Sequence, residues 1–312
     1  MPKILIILIA VIASIVFLFL LYFIIVASMA YYLLHPKRIS KEEAHQVDVD
    51  KGQIPLDMGY LKREPISVKA DDGAYIEGDF SPNKDNKKIM IIAHGYGWNR
   101  EGSLKYAQFF YKHGFSILLF DERGHGESKE RYTTMGYKEG QDIARLVNYC
   151  IEKYGEETII GLHGESMGAS SVLESLKYDP KVAFAIEDCG YSDLPTLLLH
   201  RMKSSSIPFP AFFLPGASLI TKLFYGFSLK EVSPKETIKK SKTPLLIIHG
   251  EDDSYVPTIE GKEIYASRPN GSEIHLVPKA IHARSYEVNP QAYEEICMGF
   301  INKIPERKEY GE

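Results

Sequence analysis

Residues 161–170 read GLHGESMGAS: a serine, Ser166, stands between Gly164 and Gly168, shortly after the run Thr158, Ile159, Ile160. A G-x-S-x-G stretch that follows a strand and opens a helix is a sharp turn that presents a serine hydroxyl at a sheet edge. Glycines at those two places let the turn pass close to the neighbouring strand and helix, where a side chain would collide. A helix opening at Met167 also aims its amino-terminal dipole at the serine and favours negative charge developing there. Glycine and serine are common in ordinary turns, so the stretch decides nothing alone. It sets a demand instead. A serine hydroxyl attacks poorly at its own pKa, so a nucleophile needs a histidine base and a carboxylate that orients the base.

Working outward, the pattern predicts strands over 65–70 and 74–80, flanking the turn signal Asp71, Asp72, Gly73. Further apolar runs predict strands over 87–94, 116–120, 158–163, 182–187, 245–249 and 273–277. Helices over 104–113, 137–154, 167–178, 258–266 and 290–302 alternate with them. Apolar strands with little polar alternation, separated by helices, indicate an α/β protein with a mostly parallel sheet covered on both faces.

The alternation is interrupted over 194–242, which is rich in apolar and aromatic residues and broken by Pro195, Pro208, Pro210 and Pro215. Two readings are open, a pair of short core helices or a lid whose apolar underside covers a substrate pocket, and the break in a regular alternation favours the lid.

Both partners demanded by Ser166 are present at strand ends. HGEDDSYVP puts Asp252 and Asp253 after the strand over 245–249, and PKAIHARSY puts His282 after the strand over 273–277. The chain order Ser, Asp, His is the one that goes with this turn. Asp252 also suits a turn or cap before the helix over 258–266. An oxyanion needs two donors: the backbone N–H of Met167 and, from the loop HGYGWNR, that of Tyr96. The stretch FDERGHGES, 120–128, with Asp121, Glu122, Arg123 and His125, reads as a structural turn in which charged groups pair. His94, His163 and His249 end separate strands and include no helical pair, so no metal is expected. No cofactor is expected either.

The first residues differ from the rest. Residues 4–34 carry no charge, against about 20 needed to cross a bilayer. Lys3 precedes this run, Lys37 and Arg38 follow it, and Tyr31 and Tyr32 suit the headgroup level. A cleaved signal peptide is the competing reading, with Ser28 and Ala30 before a cut at Tyr31, but the apolar run is about twice the usual length. Basic residues at both ends leave the side of the membrane open. The organisation read from the chain is a membrane anchor over 1–38, a polar tether or surface segment without a long helix over 39–65, and a catalytic-type domain over 66–312.

The chain has 312 residues, 45% hydrophobic and 25% charged, ordinary for a globular protein with a sizeable core. Its net charge of -4, with basic residues scattered among acidic ones, argues against nucleic acid as a partner. Cys150, Cys189 and Cys297 form no disulfide framework or zinc pattern and read as buried thiols. Oligomeric state is left open.

With HGYG, DERGHGES, GESMG, HGEDDSYVP and IHARSY in this order, residues 66–302 resemble the α/β-hydrolase superfamily, nearest its serine aminopeptidase-like and prolyl oligopeptidase-like branch. The resemblance implies an α/β-hydrolase fold with a helical lid, Ser166 as nucleophile, His282 as base and Asp253, rather than Asp252, as acid. It implies oxyanion donors on the backbones of Tyr96 and Met167. A single amino-terminal membrane segment before such a domain resembles small membrane-anchored bacterial hydrolases. The expected function is a membrane-anchored serine hydrolase acting on an ester. A peptidase for short amino-terminal fragments, with Glu165 or Glu187 holding the substrate amine, is the alternative. A non-catalytic binding module on the same fold is the third reading.

Overall fold

The apolar runs pair into one eight-stranded sheet in a computed structural model that describes residues 3–84 and 86–304. The strands are β1 (Glu64–Lys69), β2 (Tyr75–Ser81), β3 (Lys88–Ala93), β4 (Ser116–Phe120), β5 (Ile159–Glu165), β6 (Phe184–Asp188), β7 (Leu245–Gly250) and β8 (Ser272–Val277). Their order is β1-β2-β4-β3-β5-β6-β7-β8. β2 runs antiparallel to β1 and β4, and every other pairing is parallel. The helices are α1 (Lys3–Leu34), α2 (Lys41–Asp50), α3 (Leu104–Lys112), α4 (Tyr137–Tyr154), α5 (Met167–Ser175), α6 (Leu194–Ser204), α7 (Pro210–Tyr225), α8 (Pro234–Ile238), α9 (Thr258–Ser267), α10 (Ser285–Val288) and α11 (Pro290–Ile301).

Alternate residues of each central strand feed two separate apolar layers, which is why these strands read as unbroken hydrophobic runs. Ile89, Ile91, Leu118, Leu245 and Ile247 pack with Leu146 and Val147 of α4 and Val172 and Leu173 of α5. Met90, Ile92, Ile117, Leu246 and Ile248 pack with Phe109 and Phe110 of α3 and Tyr293 and Phe300 of α11. The three cysteines are buried free thiols.

A third buried cluster joins the end of α1 to the interruption over 194–242. Val26, Ala30 and Leu34 of α1 pack with Leu194 and Leu197 of α6, Ala217 and Ile220 of α7, and Met167, Tyr191 and Val256. Pro195 and Pro210 stand in first turns, where a missing N–H costs little. Pro215 was expected to break this stretch and does not, because α7 continues past it against α1. At Gly216 the two helices approach so closely that a Cβ would lie 2.3 Å from the Tyr22 hydroxyl.

Residues 39–65, expected to hold no long helix, contain the ten-residue α2. Ser40 caps it by accepting the Glu43 N–H, and Glu42 and Glu43 in its first turn suit the dipole. Its buried face is only Ala44 and Asp48, so it leaves no apolar period in the sequence.

Candidate active site

The turn around Ser166 is tightened by its surroundings. β5 ends at Glu165, α5 begins at Met167, and Ser166 between them holds φ 56° and ψ -115°. That is a region which a non-glycine residue occupies only when its neighbours enforce it. A Cβ at Gly164 would lie 2.3 Å from the Gly168 carbonyl oxygen, and one at Gly168 would lie 2.5 Å from the carbonyl oxygens of Ala93 and His94. Those two glycines are what let β3, β5 and α5 converge. The Ser166 N–H donates to the Asp188 carbonyl at 2.8 Å, fixing the turn to β6.

Folding brings Ser166, Asp253 and His282 into one line. Ser166 Oγ lies 2.9 Å from His282 Nε2, and His282 Nδ1 lies 2.7 Å from Asp253 Oδ2. A carboxylate can only accept, so the proton sits on Nδ1 and Nε2 is left to accept from the serine hydroxyl. Asp253 Oδ1 accepts the N–H groups of Tyr255 and Val256, each at 2.9 Å. Asp252, the other candidate acid, is exposed, and its N–H donates to the Ala280 carbonyl. The Tyr255 ring stacks on His282 at 4.8 Å, and the Arg201 guanidinium of α6 lies 3.7 Å over the Tyr255 ring. The interrupting segment thus touches the histidine through one intervening ring. Cys189 Sγ lies with the Asp253 and His282 ligand atoms within 4.8 Å of one another, and burial pushes its thiol well up.

The loop after β3 runs alongside the serine. A Cβ at Gly95 would lie 3.6 Å from Ser166 Cβ, and Tyr96 lines the same cleft as Ser166. Two histidines from that region hold the loop without facing substrate. His94 Nδ1 donates to the Gly95 carbonyl while Nε2 accepts the Glu122 N–H, and burial lowers its pKa to about 4. His125 Nδ1 donates to the Arg123 carbonyl while Nε2 accepts the Gly97 N–H, and burial lowers its pKa to about 3. Asp121 accepts the N–H groups of Arg100 and Glu127, and Arg123 pairs with Asp72 and Asp142. The stretch 120–128 is therefore a scaffold for the loop over 94–97.

A cleft of about 210 Å³ opens beside Ser166 and His282, lined by Tyr96, Trp98, Lys105, Glu165 and, from α2 and the residues after it, Asp48, Lys51 and Gln53. Lys105 pairs with Glu165 at 2.5 Å, and the Tyr106 hydroxyl donates to Glu165 at 2.5 Å. Burial works against the Glu165 charge, but Lys105 outweighs it and holds that carboxyl below its usual value. Glu187, named with Glu165 as a possible amine-binding acid, is fully buried and accepts the Gly190 N–H instead. Asp48 is the functional candidate that sequence reasoning missed. It is 2% exposed, its Oδ2 has no hydrogen-bond partner, and burial raises its pKa to about 6 against the pull of Lys105 and Lys51. No local motif marks it, because only the docking of α2 carries it to the cleft. A larger cavity, about 350 Å³, lies at the opposite ends of the strands around Lys88, Phe115 and Thr158, away from Ser166.

The family model for serine aminopeptidase, S33, matches residues 84–187, which include Ser166 but neither Asp253 nor His282. Over 281 residues the chain is 28% identical to the Bacillus subtilis protein YqkD, covering 89% of this chain and 92% of that one. An esterase from Pyrococcus furiosus superposes with a TM-score of 0.68 at 23% identity, over 87% of this chain and 98% of its own. An acylaminoacyl peptidase from Pyrococcus horikoshii superposes with a TM-score of 0.58 at 18% identity, over 80% of this chain and 43% of its own. With the sheet order and the turn at Ser166, these likenesses give the chain the α/β-hydrolase fold.

Proposed function

We propose that the chain is a membrane-anchored serine hydrolase that cleaves an ester, whether carboxylester, lipid ester or thioester, through an acyl-enzyme. The observation that carries this reading is the hydrogen-bonded line from Ser166 through His282 to Asp253. His282 Nε2 takes the Ser166 proton as Oγ bonds to the substrate carbonyl carbon and the carbonyl electron pair moves onto oxygen. The backbone N–H groups of Tyr96 and Met167 receive that oxyanion. Its collapse breaks the bond to the leaving oxygen or sulfur, which departs with the proton from Nε2. Water then gives a proton to Nε2, attacks the acyl carbon, and Ser166 leaves with that proton restored. Asp253 accepts from Nδ1–H throughout and offsets the imidazolium charge.

The anchor reading is supported by how α1 divides. Residues 3–21 are exposed along their whole length, about 28 Å at the rise of a helix, against a hydrocarbon core of about 30 Å. Beyond them α1 docks on the domain: Val26, Ala30 and Leu34 are buried, the Leu34 carbonyl accepts the Thr133 N–H, and the Tyr32 carbonyl accepts the Tyr96 hydroxyl. Signal-type cleavage after Ala30 would strip Val26 and Ala30 from the buried cluster, which favours a retained helix.

A second reading, a peptidase for short amino-terminal fragments, draws its support from Asp48, a residue that lines the cleft and whose buried Oδ2 is left to accept from a substrate ammonium. Ser166→Ala should abolish turnover of p-nitrophenyl esters, and turnover equal to wild type would end the hydrolase reading. Comparing acyl esters with aminoacyl-anilides decides between the two: preference for anilides, lost in Asp48→Ala, would favour the peptidase.

A further inference from the structure

The polar cleft lies beside Ser166; a second, apolar concavity is built by α1 and the segment over 194–242, which pack with Met167. Between the docked half of α1 and helices α6 and α7 runs a groove of about 510 Å³, walled by Ile25, Met29 and Leu33 on one side and Leu198, Met202 and Leu214 on the other. Its floor residues Ala30, Ala217 and Leu229 belong to the same buried cluster as Met167, the residue after the nucleophile. Tyr32 lines the groove, and its carbonyl accepts the hydroxyl of Tyr96, which lines the Ser166 cleft. Tyr96 therefore joins the wall of the groove to the cleft that holds the reacting serine.

Two features give this groove an occupant. First, α7 lies along α1 in the same direction: Tyr22 meets Phe212 and Phe213 near the start of α7, and His35 meets Tyr225 at its end. The start of α7 thus sits level with residue 22, where the bare stretch of α1 ends. Second, the outward face beside that level is apolar: Phe209 is 82% exposed and Phe212 63%, with Leu219, Leu223 and Phe224 exposed further along α7 and Ile24 on α1. Soluble surfaces seldom leave so much contiguous apolar area uncovered. Apart from Lys222, exposed beside Leu223, this face continues the apolar stretch over 4–21, so the bilayer that covers the one reaches the other.

We infer that the groove between α1 and α6–α7 is the acyl-chain subsite, and that its ligand is the hydrocarbon tail of an ester-bearing lipid taken laterally from the leaflet in which α1 is anchored. The inference rests on the anchored-hydrolase reading. The chain enters between α1 and α6, lies along Leu198, Met202 and Met29, and presents its carboxyl end past Tyr96 to Ser166. The polar remainder of the lipid stays on the side of Asp48 and Lys51. α1 is then both tether and half of the binding wall.

The test uses the full chain in phosphatidylcholine vesicles and p-nitrophenyl esters from acetate to palmitate. Each methylene removed from water is worth about fourfold in kcat/KM until the groove is full, so wild type should prefer dodecanoate over acetate. Leu198→Trp and, on the facing wall, Met29→Trp should each lower that dodecanoate-to-acetate ratio by about fiftyfold, the equivalent of roughly three methylenes. Ile259→Trp, an exposed change on α9, should keep the wild-type ratio. Unchanged ratios in both groove variants would overturn the inference. Two outcomes reach further back: no turnover of any ester in the series by wild type ends the hydrolase reading, and wild-type protein that does not float with vesicles ends the anchor reading, either taking this inference with it.

Discussion

Asp253 divides its carboxylate between two tasks with respect to His282: Oδ2 accepts the imidazole Nδ1–H at 2.7 Å, while Oδ1 is held by the backbone of Tyr255 and Val256. The backbone contacts fix the carboxylate, the carboxylate fixes the tautomer, and the tautomer leaves Nε2 facing Ser166 as an acceptor. The same loop carries Tyr255, which stacks on His282, so ring orientation and proton position are set by neighbouring residues.

Asp253→Asn should therefore lower kcat on p-nitrophenyl butyrate by about 10⁴-fold while leaving the fold intact. Circular dichroism checks the fold and steady-state kinetics the rate. A loss confined to KM would mean that Asp253 does not act through His282.

Gly168→Ala should damage the protein through packing. The new Cβ would fall 2.5 Å from the carbonyl oxygens of Ala93 and His94, so α5 must shift away from β3. A loss of at least about 2 kcal/mol in urea unfolding, with esterase turnover lost in parallel, is expected. Wild-type stability would contradict the close approach at this turn.

The acid response of stability should carry a separable histidine contribution. Burial, with Lys105 adding to it, lowers the His163 pKa to about 3, and the ring sits against Tyr106, Phe110 and Tyr293. A lowered histidine gives stability that is fully present above its unfolded value of about 6.5 and lost as pH falls toward 3. Asp48, Asp142 and Asp188, each raised to about 6 chiefly by burial, work the other way, taking up protons in the folded state as pH falls through 6. The difference between wild type and His163→Phe removes these carboxylates from the comparison. That difference should be constant above about pH 6.5 and shift in favour of the variant by up to about 1.4 kcal/mol per pH unit below it. A pH-independent difference in urea titrations would contradict a neutral buried His163.

Truncation should separate the two parts of α1. Of the described residues, removal of 1–21 takes away only the exposed helix over 3–21, so the remainder should stay folded and active on soluble esters without vesicle binding. Removing residues 1–34 uncovers the cluster of Met167, Leu194 and Leu197 and should cause aggregation or a thermal midpoint lower by several degrees. Equal stability of the two truncations would contradict the docking of α1.

The sequence made Ser166, Asp253 and His282 legible because each follows a strand whose apolar run is strong, and parallel strands deliver their carboxyl ends to one rim. Strand and helix positions were readable for the same reason, with shifts of one or two residues at most ends, where the last hydrogen bonds and not the apolar pattern decide the boundary, and of three at the end of α5, which passes into a 3-10 turn over Leu176–Tyr178. The role of α2 was not legible: its two buried positions leave no period, and Asp48 reaches the cleft only through tertiary packing. The division of α1 was hidden for the opposite reason. A helix apolar on every side looks the same where it meets lipid and where Val26, Ala30 and Leu34 meet the domain. Glu165 and Glu187 looked available for a substrate amine until the commitments to Lys105, Tyr106 and the Gly190 N–H came into view.

The most direct test of the central claim is mass-spectrometric mapping of the adduct left by a fluorophosphonate on the full chain in vesicles. The account predicts one adduct, on Ser166, absent in Ser166→Ala and strongly slowed in His282→Ala. Equal labelling of the Ser166→Ala protein, or an adduct on another residue, would contradict it.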